Sequence, residues 1–302
     1  MNKIAPIFVI IAAALWGVDG IVLQPSLYNL PVPLVVFIES SLVAILLLPI
    51  LIKNFSELKK LNRGDWFAFL GVALFGGALG TMAITKALFY VNFVNLSIVI
   101  LIQKLQPVFA LSLAALMLKE RLPKIFFLWA GLAVFGAYFM TFGVSLPNFN
   151  TGDKTWIAAG LSLIAAISFS SSTVFSKRAL ANVGFAMGTY LRFLLSAIIM
   201  IFIAAPIGDL NSFSMVSSNQ WMIFFLIAFT TGGAAIFLYY YGLKKITASV
   251  ATVCELAFPL TAVVLEYFLH GNILKPIQWI GVAILIFSIL QVSGLNRKTS
   301  EQ

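Results

Sequence analysis

Charge is what this chain has least of. Only 10% of its 302 residues are charged, against about a quarter in a soluble domain. A water-wetted globular surface cannot be made from so few charges. The single cysteine, Cys254, excludes an internal disulfide. The single histidine, His270, leaves little material for a histidine-based metal site or a Ser-His-Asp triad. No phosphate-binding glycine loop is present, which argues against direct ATP hydrolysis, and neither a metal nor a cofactor is expected. The net charge of +9 invites a nucleic-acid partner, but the basic residues sit in short loops between apolar runs, where a membrane explains them better.

Hydrophobic length is abundant. Hydrophobic residues make up 61% of the chain and the mean hydropathy is +1.04. Ten apolar runs stand between polar breaks, at about 4–24, 34–53, 66–87, 93–118, 125–143, 156–176, 185–206, 221–242, 248–269 and 277–294. A run of roughly 20 residues spans a ~30 Å hydrocarbon core at 1.5 Å per residue. The runs are too long and too evenly apolar for alternating barrel strands, so they read as helices. Lys3 followed by an apolar run and Ala12-Ala13-Ala14 also fits a signal peptide, but the run continues to Leu23 and has a counterpart in the second half, so it reads as an uncleaved first span. With a cytoplasmic N-terminus, fourteen lysines and arginines fall in cytoplasmic segments, and Lys86, Lys154 and Lys275 fall outside. That asymmetry places both termini in the cytoplasm.

The chain repeats with a period near 152. Pro107 and Pro259 open similar stretches, and Glu120 and Asn272 each follow their proline by thirteen residues. Trp129-Ala-Gly131 and Trp279-Ile-Gly281 come next, while Ala14–Gly17 matches Ile167–Ser170, and Gly76-Gly77 matches Gly232-Gly233. Five spans per half is an odd number, so the halves, 1–145 and 154–296, enter the membrane in opposite directions, with a short cytoplasmic tail at 297–302. Inverted repeats suit alternating access about a central site.

Trp16-Gly17, the Pro107…Lys119-Glu120-Arg121-Leu122 stretch and the Pro259…Gly271-Asn272 stretch resemble the drug/metabolite transporter superfamily, EamA type, over essentially the whole chain. The resemblance implies a carrier of small metabolites in an inner or plasma membrane, with a peripheral pair formed by spans five and ten that would support a homodimer. An arginine is common early in the second span of such repeats. Arg192 supplies it in the second half, whereas Glu39 stands at the matching place in the first.

A proline inside a helix frees the carbonyl four residues before it. Pro107 and Pro259 are therefore helix-break candidates, freeing the carbonyls of Gln103 and Glu255 near the midplane. Gln106 shares the face of Gln103, and Ser249 and Thr252 extend that of Glu255. Asp19, Glu39, Lys104, Arg192 and Glu255 are ionisable residues inside spans, each costing about 2.5–3.5 kcal/mol or more if it faced lipid. They belong on a cavity, in ion pairs such as Lys104–Glu255 or Lys104–Glu39, or both. Trp16, deep in span one, is a candidate to stack on a ligand, as are Tyr90, Tyr138, Tyr190, Tyr239 and Tyr267. The expected substrate site comprises Trp16, Gln103, Lys104, Gln106, Arg192 and Glu255. Both charge signs at mid-depth suit a zwitterion such as an amino acid. Carboxyl groups can load and release a proton as access alternates, so Glu39 and Glu255 are candidate proton carriers.

An intramembrane enzyme acting on a lipid or lipid-linked substrate is the principal alternative. Asp19 with Glu39 is its candidate carboxylate pair, and nothing in their spacing brings the two within reach. A channel or flippase-like pathway is a further alternative. The expectation is an all-α polytopic membrane protein of ten transmembrane helices, without enzymatic activity, that carries a small polar or zwitterionic metabolite.

Overall fold

The computed structural model describes residues 4–90, 97–146, 154–270 and 275–298. Lys3, Gly271, Asn272 and the end of the tail lie outside them. Among the described residues every regular element is helical. In chain order these are α1 (Ala5–Val18), α2 (Val32–Leu46), α3 (Leu48–Lys53), α4 (Arg63–Gly71), α5 (Gly80–Tyr90), α6 (Ser97–Gln103), α7 (Gln106–Met117), α8 (Lys124–Phe142), α9 (Thr155–Ala179), α10 (Phe185–Ala204), α11 (Ser218–Phe229), α12 (Gly233–Leu243), α13 (Ala248–Cys254), α14 (Ala257–His270) and α15 (Pro276–Lys298). A π-helical turn, Asp19–Leu23, and a 3-10 turn, Gln24–Leu27, extend α1, and a π-helical segment, Val72–Leu79, joins α4 to α5. Among the described residues seven helical stretches are long and apolar enough to cross a membrane: Ala5–Leu27, Arg63–Tyr90, Lys124–Phe142, Trp156–Ala179, Phe185–Ala204, Ser218–Leu243 and Pro276–Leu295. Val32–Leu46, Leu101–Met117 and Ala248–Ala262 are shorter apolar helices.

The outer surface carries large apolar side chains in the open. Leu116 is 77% exposed, Phe202 75% and Ile52 72%. A soluble monomer rarely shows continuous apolar surface on this scale, but a lipid-facing one does. The two parts of the chain interlock instead of lying side by side: α1 packs on α12 and α14, α2 on α10, and α5 and α7 on α9. Small residues permit these approaches. A Cβ on Gly77 would lie 1.8 Å from Ser196 Oγ of α10, and one on Gly281 of α15 would lie 2.3 Å from the Met140 nitrogen of α8. Glycine is therefore required where these helices cross. The helices α4 and α11 start with the same device. Asn62 and Asp65 form a reciprocal capping box, as do Ser217 and Gln220, satisfying amide hydrogens that a helix start leaves open.

The prolines act differently from a mid-helix kink. Residues 104–105 and 255–256 are turns, so the helices end before the prolines are reached. Pro107 sits in the first turn of α7 and Pro259 is the third residue of α14, positions where a missing N–H removes no helical bond. The Glu255 carbonyl is not left free, since the Phe258 amide donates to it at 3.0 Å. The chain tightens into three-residue bonds at the break, and the carbonyl is satisfied locally.

Candidate functional site

The breaks in α6–α7 and α13–α14, the π-helical turn after α1 and the gap between α11 and α12 all border one cavity of about 350 Å³. Its wall includes Trp16, Glu39, Gln103, Lys104, Gln106, Pro107, Arg192, Glu255 and Pro259. Most of these residues are far apart in sequence. Gln103, Lys104, Gln106, Pro107, Glu255 and Pro259 come from the two helix breaks, whereas Glu39 and Arg192 come from the interiors of α2 and α10; facing the cavity keeps all of them from facing lipid.

Glu255 is the hub of one polar group. Its Oε1 accepts from the Tyr239 hydroxyl at 2.7 Å and from Thr173 Oγ1 at 3.3 Å, and its Oε2 accepts from Gln106 Nε2 at 2.7 Å. The Thr173 and Tyr239 hydroxyls are themselves 3.0 Å apart. Arg192 lies near enough to act on Glu255 electrostatically, while its Nη2 donates to the Gly76 carbonyl at 3.3 Å. The Trp16 ring packs on Tyr239 with centroids 5.3 Å apart. Gln103 is turned to another task, donating to the Ser162 carbonyl at 2.8 Å. Ser170 Oγ donates to the Gln106 carbonyl at 2.8 Å and steadies the break below Lys104.

A second polar group stands on the same cavity. Gln24 Nε2 donates to Glu39 Oε1 at 2.9 Å and to Asp19 Oδ2 at 3.2 Å, and Thr231 Oγ1 donates to Asp19 Oδ1 at 2.7 Å. Spacing alone could not join Asp19 to Glu39. The amide of Gln24, in the 3-10 turn that ends the first span, does so. Thr231 comes from the non-helical link between α11 and α12. Sequence reasoning passed over both Gln24 and Thr231. Their signals were weak: a glutamine just before Pro25, and a threonine beside Gly232-Gly233.

Neither expected ion pair of Lys104 forms. Among the described residues its Nζ has no hydrogen-bond partner, although the residue is only 4% exposed. Lys104 belongs to the turn between α6 and α7 and takes its place there from the backbone, not from a carboxylate. Thr252 Oγ1 and Gln24 Oε1 are likewise buried without a partner, and both residues line the cavity. Of the tyrosines singled out, Tyr239 lines the cavity and Tyr90, Tyr138, Tyr190 and Tyr267 do not. Tyr90 instead lies under Lys154 Nζ at 4.8 Å, and Tyr267 is 49% exposed.

At the end of the molecule that carries the basic loops, Glu120 caps α13. It accepts from the Ala248 amide at 2.8 Å, the Ser249 amide at 3.1 Å and Ser249 Oγ. A carboxylate at a helix N-terminus meets both the open amide hydrogens and the positive end of the dipole.

Related proteins put this cavity in context. The family model described as the EamA-like transporter family matches residues 3–142 and again 156–294. The riboflavin transporter ImpX of Fusobacterium nucleatum is 47% identical over 292 residues, covering 96% of this chain and 97% of the relative. An uncharacterized transporter of Synechocystis sp. is 27% identical over 81% of this chain and 70% of its own length. The uncharacterized inner membrane transporter YedA of Escherichia coli strain K12 is 26% identical over 55% and 52%. A crystal structure at 17% identity matches 99% of each chain with a TM-score of 0.72, which shows a shared fold. With its multiple membrane-spanning helices, this chain is a multi-pass plasma-membrane transporter and belongs to the EamA-like transporter family.

Proposed function

We propose that the chain is a secondary carrier for a flavin of the riboflavin type, working by alternating access around the cavity. The observation that carries this reading is the combination of an aromatic wall, Trp16 on Tyr239, with a buried amine, Lys104 Nζ, that has no partner among the described residues. A flavin offers what these groups lack: a flat ring system to stack, ring carbonyls to accept from the amine, and a polyhydroxylated chain for Thr252 and Gln24. The cavity volume of about 350 Å³ is within the roughly 300–1,000 Å³ usual for small-molecule sites. The name of the 47% identical relative supports the substrate class.

In this reading ten spans form two inverted five-helix repeats, 1–145 and 154–296, with both termini cytoplasmic. The twofold match of the family model supports the repeat, and the basic-residue asymmetry supports the orientation. The α8–α15 pair, with Phe135, Trp279 and Phe287 exposed, would be the contact of a homodimer. Glu39 and Glu255 remain the proton-carrier candidates. A zwitterionic amino acid is the second reading, favoured by Lys104 and Glu255 facing one cavity with opposite charges.

Flavin fluorescence, which is quenched when the ring stacks on an aromatic, tests the substrate class. Titrating purified protein with riboflavin should give saturable quenching that weakens in Trp16→Ala and Lys104→Met. Riboflavin uptake into proteoliposomes should show the same order. No saturable quenching, together with stabilisation by an amino acid, would replace the flavin by the second reading.

A further inference from the structure

Two carboxylates, Asp19 and Glu39, face one cavity close enough to repel each other, and among the described residues no basic side chain bonds to either. What joins them is one neutral amide. Both hydrogens of Gln24 Nε2 are committed, one to each acid. The other end of that amide, Gln24 Oε1, is a buried acceptor without a donor among the described residues, on a residue only 7% exposed. Among the described residues Glu39 accepts a single hydrogen bond, from Gln24. The group is therefore short of one positive charge and one donor, and it is short of both beside the same amide. A proton on Glu39 supplies both. The acid O–H can donate to Gln24 Oε1 while Gln24 Nε2 keeps donating to Glu39, the two-point pairing that an amide and a carboxylic acid form with each other. Asp19, with the Thr231 hydroxyl and the remaining amide hydrogen, is better suited to keep its charge.

The surroundings do not remove the need. The other titratable side chains on the cavity are Lys104, Arg192, Tyr239 and Glu255. Arg192 is drawn to the Gly76 carbonyl and toward Glu255, Tyr239 donates to Glu255, and Lys104 pairs with neither acid. Lys86 of α5 lies 5.8 Å from the Tyr90 ring centroid, and Asp209, before α11, is outside the cavity wall. Thr231 lies just beyond the C-terminal end of α11, whose dipole favours positive charge there.

We propose that Asp19, Gln24 and Glu39 form a proton site, with the proton carried on Glu39 and the charge kept on Asp19 while the amide bridges the two, and that this site, not Glu255, couples transport to the proton gradient. The proposal rests on the carrier reading above. Two features set the sites apart: Glu255 already holds three side-chain donors and a nearby guanidinium, whereas among the described residues no positive group bonds to the Asp19–Glu39 pair.

The first experiment needs no substrate. Infrared difference spectra of the purified protein between acid and alkaline pH should contain a protonated-carboxyl band. It should vanish in Glu39→Gln and persist in Glu255→Gln, and Gln24→Leu, which removes the amide, should move its pH midpoint. A band that is absent in the wild type, or that survives Glu39→Gln, overturns the site. The second experiment compares gradient-driven riboflavin accumulation with counterflow exchange in proteoliposomes. Glu39→Gln should lose driven accumulation by about tenfold more than it loses exchange, the size of an ordinary coupling free energy. Equal losses in the two assays, or accumulation driven by sodium and indifferent to pH, would overturn the coupling role. If the wild type exchanges no riboflavin while the infrared band behaves as expected, the substrate reading fails and the proton site stands.

Discussion

Two acidic groups share one cavity, and the protein treats them in opposite ways. Around Glu255 the fold converges donors from three other helices: Gln106 on α7, Thr173 on α9 and Tyr239 on α12, with Arg192 of α10 close by. Around Asp19 and Glu39 it supplies one amide and one hydroxyl for two acids. A buried charge persists when hydrogen bonds and an opposite charge replace water. Glu255 has that replacement, which suits it to a structural role. The Asp19–Glu39 pair lacks it, and that deficit is what suits the pair to gaining and losing a proton. The same contrast applies to bases. Arg192 is held by the Gly76 carbonyl and lies over the Tyr240 ring at 6.0 Å, whereas the Lys104 amine has no partner among the described residues.

The comparison can be broken hardest at Glu255. Replacing it by alanine leaves Gln106, Thr173 and Tyr239 without their common acceptor. At about 1–3 kcal/mol for each buried polar group left unmade, Glu255→Ala should lower the melting temperature sharply and abolish transport. Glu39→Ala strips only one amide contact and should cost much less stability. Equal destabilisation of the two variants would erase the distinction.

Lys104 sharpens the contrast from the other side. Having no partner to lose, Lys104→Met should leave thermal stability unchanged or raise it, because an unpaired buried amine is replaced by an apolar chain of similar length. Riboflavin affinity should nevertheless fall about tenfold, the worth of one charge-assisted hydrogen bond of roughly 1.5 kcal/mol. Destabilisation of this variant would mean that the amine has a structural partner. Trp16→Ala should weaken binding by a similar or smaller factor, since an aromatic pair is worth about 0.5–1.5 kcal/mol beyond its buried area, and fluorescence quenching reads that loss directly. Smallest of all should be Thr231→Val. It removes one hydroxyl from Asp19 at about 1 kcal/mol and should displace the pH midpoint of the carboxyl band with little change in melting temperature.

Much of the helical framework was legible because lipid imposes a one-dimensional rule: a spanning segment must be apolar and long enough, and sequence displays both. Ala5–Leu27, Arg63–Tyr90 and Pro276–Leu295 follow directly from apolar runs in the chain. The residues placed inside spans despite their charge were legible for the same reason, since each is costly unless it faces protein or a cavity. Pairing was not legible. Lys104 was expected to meet Glu39 or Glu255 because opposite charges at similar depth attract. Depth along a helix does not state which way a broken helix turns its side chains, and the turn at residues 104–105 leaves Lys104 unpaired. The prolines were similarly misjudged in detail. They mark where helices restart, while the breaks themselves fall earlier, and the Glu255 carbonyl closes onto Phe258.

Composition and hydrophobic length, taken alone, determined that this chain lives in a membrane and is helical there. They did so because solvent and backbone hydrogen bonding act on every residue locally. Tertiary structure decided the rest: that Gln24 stands between Asp19 and Glu39, that Tyr239, Thr173 and Gln106 converge on Glu255, and that Lys104 Nζ is buried without a partner among the described residues. Those outcomes depend on how separate helices cross and where they break. They are set by close contacts such as Gly77 on Ser196 between residues more than a hundred positions apart, which no local pattern encodes.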